Sequence, residues 1–329
     1  MSGRPATGGR VFVEAPARLH FGVLDLRGDL GRWFGGIGAA IPTPSLLLQA
    51  ETADAIEAEG PDGGRAAEFA RRYLARTGVR GGARIRVHRA IPAHAGLGSG
   101  TQLALAVARG LAELYGLPTS APDLARAVER GRRSAIGTWA FEAGGFILEG
   151  GRRAGSNEVA PLLARHPMPA SWHYVVAVPD AASGLSGAAE ANAFRGLPAP
   201  PASEVERVAH EVLMRLLPAV AEADLTAFGE SLSIIQRITG GWFAPAQGGV
   251  FAPGQTARLV RYLADGGAAG VGQSSWGPTV YALTDGAARA DSLAAGARSQ
   301  VGAGGLVVSG TFQNHGARAW PAGSKPLAD

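Results

Sequence analysis

Residues 91–114 read IPAHAGLGSGTQLALAVARGLAEL, a short extended lead, a glycine-rich turn and then a strongly apolar helix. Pro92 cannot continue a β ladder, Gly96, Gly98 and Gly100 can take positive φ, and Ser99, Thr101 and Gln102 stand where a helix would begin. From Leu103 onward the spacing predicts a helix, ending at Tyr115-Gly116. Such a loop points the unpaired N–H groups of the first helical turn, with the positive end of the helix dipole, into a bay suited to phosphate or pyrophosphate. A glycine cluster also serves simply to let a strand and a helix pack closely, and on the turn alone both readings stand. The spacing is not that of the Walker loop, because no Lys follows the last glycine. It is not a dinucleotide fingerprint either, because no strand–turn–acid unit surrounds it.

The 329 residues suffice for two domains with well-filled cores, at 46% hydrophobic content. The 49 Gly and 21 Pro are scattered among periodic segments, so they mark turns. Net charge is +4, and Lys325 is the only lysine. Arginine is dispersed in short groups such as Arg132-Arg133, without interleaved aromatics, which argues for solvated surface and attraction of anionic substrates and against a nucleic-acid partner. The absence of cysteine excludes disulfides, thiolate metal sites and cysteine nucleophiles. Apolar runs such as residues 45–50 are too short to span a membrane, and residues 1–10 lack the apolar core of a secretory signal, so a cytoplasmic location is the expectation.

Along the chain, residues 11–17 and 18–26 alternate as two strands, and residues 35–41 and 45–51 as two more with a Pro-rich connection. Residues 67–77 have helical spacing and residues 83–89 alternate again. Residues 165–170 read as a linker, residues 173–179 as a buried strand, and residues 203–217, 224–238, 256–264 and 287–297 as helices. Arg18, His20 and Asp25 are the polar members of the opening strands, where a half-exposed face would account for any one of them; Trp276, read by itself, is a core or rim aromatic.

Taken together, the motifs resemble the GHMP kinase superfamily. Pro92, Gly96, Leu97, Gly98 and Ser99 match its second motif, normally written PxxxGLGSS. Residues 15–26, APARLHFGVLDL, resemble the first motif in the branch that makes β-ribofuranosylaminobenzene 5′-phosphate. In residues 131–151, Gly131, Arg132, Ser134, Ile136, Gly137, Phe141, Glu142, Gly144 and Gly145 match that same branch, as do Glu190 and Phe194. Gly270, Gly272, Gln273, Ser274, Ser275, Trp276 and Gly277 resemble the third motif, and residues 312–317 the closing NxGA signature.

The resemblance implies an α+β fold in two domains: residues 1–165, with a β-α-β arrangement and the phosphate loop, and residues 166–329, ferredoxin-like. It implies condensation of 5-phosphoribosyl 1-pyrophosphate with 4-aminobenzoate or 4-hydroxybenzoate, releasing CO₂ and pyrophosphate in methanopterin-type cofactor synthesis, with Mg²⁺ and as a homodimer. Asp25, Glu142 and His20 are then the catalytic candidates, Asp25 also the metal candidate, and Arg18 with His20 the carboxylate anchor. Gly96, Gly98, Ser99, Gly100, Thr101, Gln102, Arg132, Glu190, Gly272, Gln273, Ser274, Ser275 and Trp276 are the substrate-binding candidates. The alternative is an ATP-dependent GHMP-family small-molecule kinase, but where such kinases carry an acid this chain has Ile136-Gly137-Thr138.

Overall fold

In the computed structural model, which describes residues 9–180 and 187–324, Val13, Ala15, Ala17, Leu19, Phe21 and Val23 all face the core. That period of two runs unbroken through β1 (Arg10–Asp25), so the two opening strands expected from the sequence are one. Its partner β2 (Arg32–Ala53) is likewise continuous. Ser45 lies opposite Pro16 and Ile41 opposite Ala17, so the Pro-containing residues 42–44 bulge from the ladder without ending the strand.

β3 (Ile56–Glu59), α1 (Gly63–Thr77), β4 (Gly82–Arg89), α2 (Ser99–Tyr115), α3 (Ala121–Ala127), α4 (Ile136–Ala143), β5 (Phe146–Glu149), β6 (Arg152–Arg153) and β7 (Leu162–His166) follow. β2 anchors this first sheet: it pairs with β1 along its length, with β4 at one end and with β5 and β6 at the other. α2 is buried almost all round and carries Leu103, Leu105, Val107 and Leu111 into the core over β1 and β2, the environment its uniform apolarity demands.

The second sheet holds β8 (Trp172–Val178), β9 (Gly270–Gln273), β10 (Val280–Asp285) and β11 (Leu306–Thr311) in the antiparallel order β11-β8-β10-β9. Between β8 and β9 lie α5 (Gly187–Gly196), α6 (Ala202–Glu211), α7 (Leu217–Glu222), α8 (Leu225–Gln247) and α9 (Gln255–Asp265), and α10 (Ala287–Arg298) joins β10 to β11. With the β8–β9 helices counted as one crossover this is a βαββαβ unit in ferredoxin-like order, as expected. The expected division at residue 165 falls inside β7, and the C-terminal segment returns across it: Gln313 and Ala317 bond to the backbone of the first half and the last strand, β12 (Arg318–Pro321), pairs with β1.

α8 joins the two sheets. Its buried Gln236 donates through Nε2 to the Phe21 carbonyl on β1 and accepts through Oε1 from the Gln273 N–H on β9, at 2.9 Å. The two glycine-rich loops meet at the same junction.

Candidate active site

Gly98 sits at the N-cap of α2 in a left-handed conformation, φ 82°, and supplies no side-chain cap. The N–H groups of Thr101 and Gln102 bond to its carbonyl, each at 3.0 Å. Ser99 and Gly100 occupy the first two helical positions, where helix geometry provides no carbonyl for their N–H groups. Gly96 is also left-handed, φ 86°, and a Cβ there would lie 2.2 Å from the Ser274 carbonyl of the second loop. The Ser274 hydroxyl donates to the Gly96 carbonyl at 2.7 Å, and that of Thr279 to the Ala95 carbonyl at 2.6 Å. Glycine at position 96 is therefore what lets the loops interlock.

The cleft over this junction, about 580 Å³, is lined by Ser99, Gly100 and Thr101 and by five arginines: Arg18, Arg65, Arg130, Arg132 and Arg133. Among the described residues the only acid lining it is Glu129, which pairs with Arg132 at 2.8 Å. Arg18 donates to the Gly96 carbonyl, which holds its guanidinium beside the loop. Arg130 lies over the Phe69 ring at 4.8 Å, and burial, then Arg65, lowers its pKa. Position 100 departs from the superfamily motif, which has Ser there; a Cβ on Gly100 would stand 2.8 Å from Arg65 Nη2, so the missing side chain gives that guanidinium its place at the helix start. Like charges gathered in a partly dry bay are destabilising by themselves and attract a polyanion.

The opposite wall is aromatic. Phe34, Phe194, Phe243 and Trp276 line it, Phe243 and Trp276 with ring centres 4.7 Å apart and Phe194 and Trp276 at 5.3 Å. Arg133 lies over Phe194 at 5.6 Å, where the cationic and aromatic walls meet. Trp276 is 8% exposed, in keeping with its reading as a core or rim aromatic, and it lines the cleft.

His20 lines the cleft on β1, 9% exposed. Its N–H donates to Ser274 Oγ at 3.0 Å and its Nε2 lies 3.2 Å from Ser134 Oγ, leaving Nδ1 as the ring nitrogen for a ligand. Burial, and then the Arg18 charge, push its pKa down to about 3, so the ring is neutral at physiological pH. Behind Ser134 lies Glu149, fully buried, whose carboxylate accepts from the N–H groups of Ala135 at 3.2 Å and Gly151 at 2.8 Å and from the Ser134 hydroxyl.

Several expected residues are placed elsewhere. The Asp25 carboxylate accepts from the N–H groups of Arg27 at 2.6 Å and Gly28 at 2.9 Å, closing the turn after β1, and does not line the cleft. Glu142 accepts from the N–H of Ala121 at 2.7 Å, capping the start of α3, and is also outside the cleft. Both acids are thus engaged by backbone donors and lie outside the set the structure brings together. Gln102 is fully buried and donates to the Gly137 carbonyl at 2.8 Å, fastening α2 to α4. Gly272 is a packing position, where a Cβ would stand 2.3 Å from the Tyr281 hydroxyl, and Ser274 acts by tying the loops together. Gln273 and Ser275 line the cleft; the side chain of Glu190, on α5, lies outside the described residues. Sequence reasoning missed Arg65, Arg130, Arg133, Ser134 as a cleft residue and Glu149.

The donor set does not form a protein-built metal site. Among the described residues no three His, Asp or Glu side chains gather to hold an ion, and the acid first assigned to Mg²⁺, Asp25, is bound to its own turn. At the position where superfamily kinases carry an acid, Ile136, Gly137 and Thr138 are buried against α2.

An interlocked pair of glycine loops, a helix start facing an arginine-lined bay and a ferredoxin-like second unit are the features of one superfamily, and comparison with known proteins agrees. Residues 64–144 match the GHMP kinases N terminal domain and residues 216–311 the GHMP kinases C terminal domain. Homoserine kinase from Cytophaga hutchinsonii shares the fold at 19% identity, TM-score 0.68, covering 94% of this chain and 97% of that one. Mevalonate diphosphate decarboxylase from Staphylococcus aureus does so at 13% identity, TM-score 0.66, covering 95% and 98%. In sequence, the chain is 35% identical over 328 residues to β-ribofuranosylphenol 5′-phosphate synthase of Methanothermobacter thermautotrophicus, 93% of this chain and 98% of the relative. It is 37% identical over 285 residues to the enzyme of that name from Archaeoglobus fulgidus, 83% and 87%. The chain belongs to the β-ribofuranosylphenol 5′-phosphate synthase family of the GHMP kinase superfamily.

Proposed function

We propose that this protein joins 5-phosphoribosyl 1-pyrophosphate to a para-substituted benzoate, forming a carbon–carbon bond between the anomeric carbon and the ring carbon that bears the carboxylate, with loss of pyrophosphate and CO₂. The observation that carries this reading is the division of one cleft into an arginine bay and an aromatic wall, in which the one lining acid among the described residues, Glu129, is paired with Arg132. The names of the sequence relatives point the same way.

A phosphoribosyl pyrophosphate is polyanionic at both ends. The helix start at Ser99–Thr101 and the five guanidiniums suit its phosphates, and they stabilise the charge that develops as the C1–O bond breaks. Removing one such preorganised donor typically costs about 3 kcal/mol of barrier. The aromatic wall suits a benzoate ring, stacks it against the ribose and keeps water from the cationic anomeric carbon. As the ring carbon bonds to C1, the pair of the C–CO₂⁻ bond returns to the ring, so aromaticity is restored without a base at that carbon. In this reading Mg²⁺ enters as the counter-ion of the pyrophosphate substrate, since among the described residues no set of protein ligands gathers for it.

The test is incubation with Mg²⁺, 5-phosphoribosyl 1-pyrophosphate and carboxyl-labelled 4-hydroxybenzoate or 4-aminobenzoate. Labelled CO₂ and pyrophosphate in equal amounts are the expected products. Turnover of ATP on a small alcohol without CO₂ release favours the kinase alternative.

A further inference from the structure

Glu149 has no role in the reaction as described above, yet it is a fully buried carboxylate one hydroxyl away from a residue that lines the cleft. Its hydrogen bonds come from two backbone N–H groups and from Ser134; Arg32, the nearby cation on β2, donates instead to the Gly150 carbonyl. Gly36, its partner across the β2–β5 ladder, lacks the side chain that would fill the space between: a Cβ there would stand 3.3 Å from both Glu149 Oε1 and His20 Nε2. The result is one line of groups: cleft, His20 ring, Ser134 hydroxyl, Glu149 carboxylate. The two backbone N–H groups are met by different oxygens, Ala135 by Oε1 and Gly151 by Oε2, which fixes the carboxylate in place beside the Ser134 hydroxyl; ionisable groups buried against a cleft in this way gather at functional sites.

We infer that His20, Ser134 and Glu149 form a proton relay that ionises the para-hydroxyl of a hydroxybenzoate bound in the cleft. The inference rests on the reaction under Proposed function. The proton on the phenol oxygen passes to His20 Nδ1, the proton on Nε2 to Ser134 Oγ, and the hydroxyl proton of Ser134 to Glu149. The oxygen lone pair, now fully available, drives the para carbon onto the anomeric carbon as pyrophosphate leaves. Loss of CO₂ returns the ring to a phenolate, and the proton travels back along the same path. Bonds and charges balance with no further reactant. Burial brings the Glu149 carboxyl up to about 7, so it gives and takes a proton near neutrality; the charged or titratable groups facing it are Arg32 from β2 and His20 from β1. An aniline needs no such step, because its nitrogen pair is already free to push.

Four proteins test this: the unaltered chain, Glu149→Gln, Ser134→Ala, and Ser134→Thr, which keeps the hydroxyl. Ser134→Ala leaves both backbone bonds to Glu149 in place, so it reports on the relay where Glu149→Gln fails to fold. With 4-hydroxybenzoate, Glu149→Gln and Ser134→Ala are expected to lower kcat about a hundredfold with KM for 5-phosphoribosyl 1-pyrophosphate unchanged, and Ser134→Thr to restore most of it. With 3,5-difluoro-4-hydroxybenzoate, whose phenol is ionised at neutral pH, the deficit should largely vanish. Equal deficits with both phenols and with 4-aminobenzoate, or no deficit, overturn the relay. Absence of turnover by the unaltered chain would instead reject the reaction. The relay is then judged by the absorbance of bound 4-hydroxybenzoate: phenolate in the unaltered chain and neutral phenol in both relay-deficient variants supports it, and identical spectra overturn it.

Discussion

The hydroxyl of Ser274 joins two motifs that lie 178 residues apart: it donates to the Gly96 carbonyl at 2.7 Å and accepts from the His20 N–H at 3.0 Å. One side chain of the second sheet thereby fixes both the anion loop and the cleft histidine of the first. Ser274→Ala leaves a buried N–H without its partner, a change that costs about 1–3 kcal/mol. A fall of that size in urea unfolding, with a raised KM for the phosphoribosyl substrate, is the expected outcome; unchanged stability would show that the loops are held by other contacts.

Gly96 and Gly98 should respond differently to alanine. At Gly96 the new Cβ meets a backbone carbonyl at 2.2 Å, whereas at Gly98 it meets Arg18 Cγ, a flexible side-chain atom, at 3.0 Å. Both substitutions carry the left-handed backbone penalty of about 1 kcal/mol. Gly96→Ala should therefore unfold or lose far more stability by calorimetry, while Gly98→Ala should fold and bind pyrophosphate weakly because Arg18 is displaced.

Much of the fold was legible because it depends on local rules: alternation in β1, the glycine stop of α2 at Gly116, the order of elements around β8–β11. The loop was legible too, since its glycines have positions only glycine fills. The acids were not. Asp25 belongs to an Asp-Leu-Arg-Gly turn, a local signal that could have been read, whereas Glu142 caps a helix start 21 residues earlier in the chain, for which no local signal exists. Arg65, Arg130 and Glu149 become site residues only when α1, the segment after α3 and β5 converge, which periodicity does not encode.

Asp25 now carries a structural expectation. Asp25→Ala removes the acceptor for two N–H groups and should cost about 1 kcal/mol in thermal unfolding, with kcat per folded molecule unchanged. A stable but inactive variant would return Asp25 to the catalytic set.

Arg130→Met keeps the packing on Phe69 and removes one of several crowded like charges. Stability should stay level or rise, while the Kd for pyrophosphate by calorimetric titration rises about tenfold, one lost charge-assisted contact. Unaltered affinity would place the anion elsewhere.

Stability against pH separates the two buried titratable groups. Glu149, raised from 4.5 to about 7, binds its proton more tightly when folded, so its contribution falls as pH rises between those values. His20, lowered from 6.5 to about 3, binds its proton less tightly when folded, so its contribution grows as pH rises between those values. The two oppose each other between pH 4.5 and 6.5, and Glu149→Gln should expose the His20 term as stability that climbs through that window. A flat profile in the variant would contradict the assignment.

The most direct measurement is the fate of the carboxyl carbon. With carboxyl-labelled 4-hydroxybenzoate and 5-phosphoribosyl 1-pyrophosphate, labelled CO₂ and pyrophosphate are expected in a one-to-one ratio, with the ring carbon bonded to ribose C1 in the product. Label retained in the aromatic product, or transfer of the ATP γ-phosphoryl group to a small alcohol with no CO₂ released, would contradict the proposed reaction.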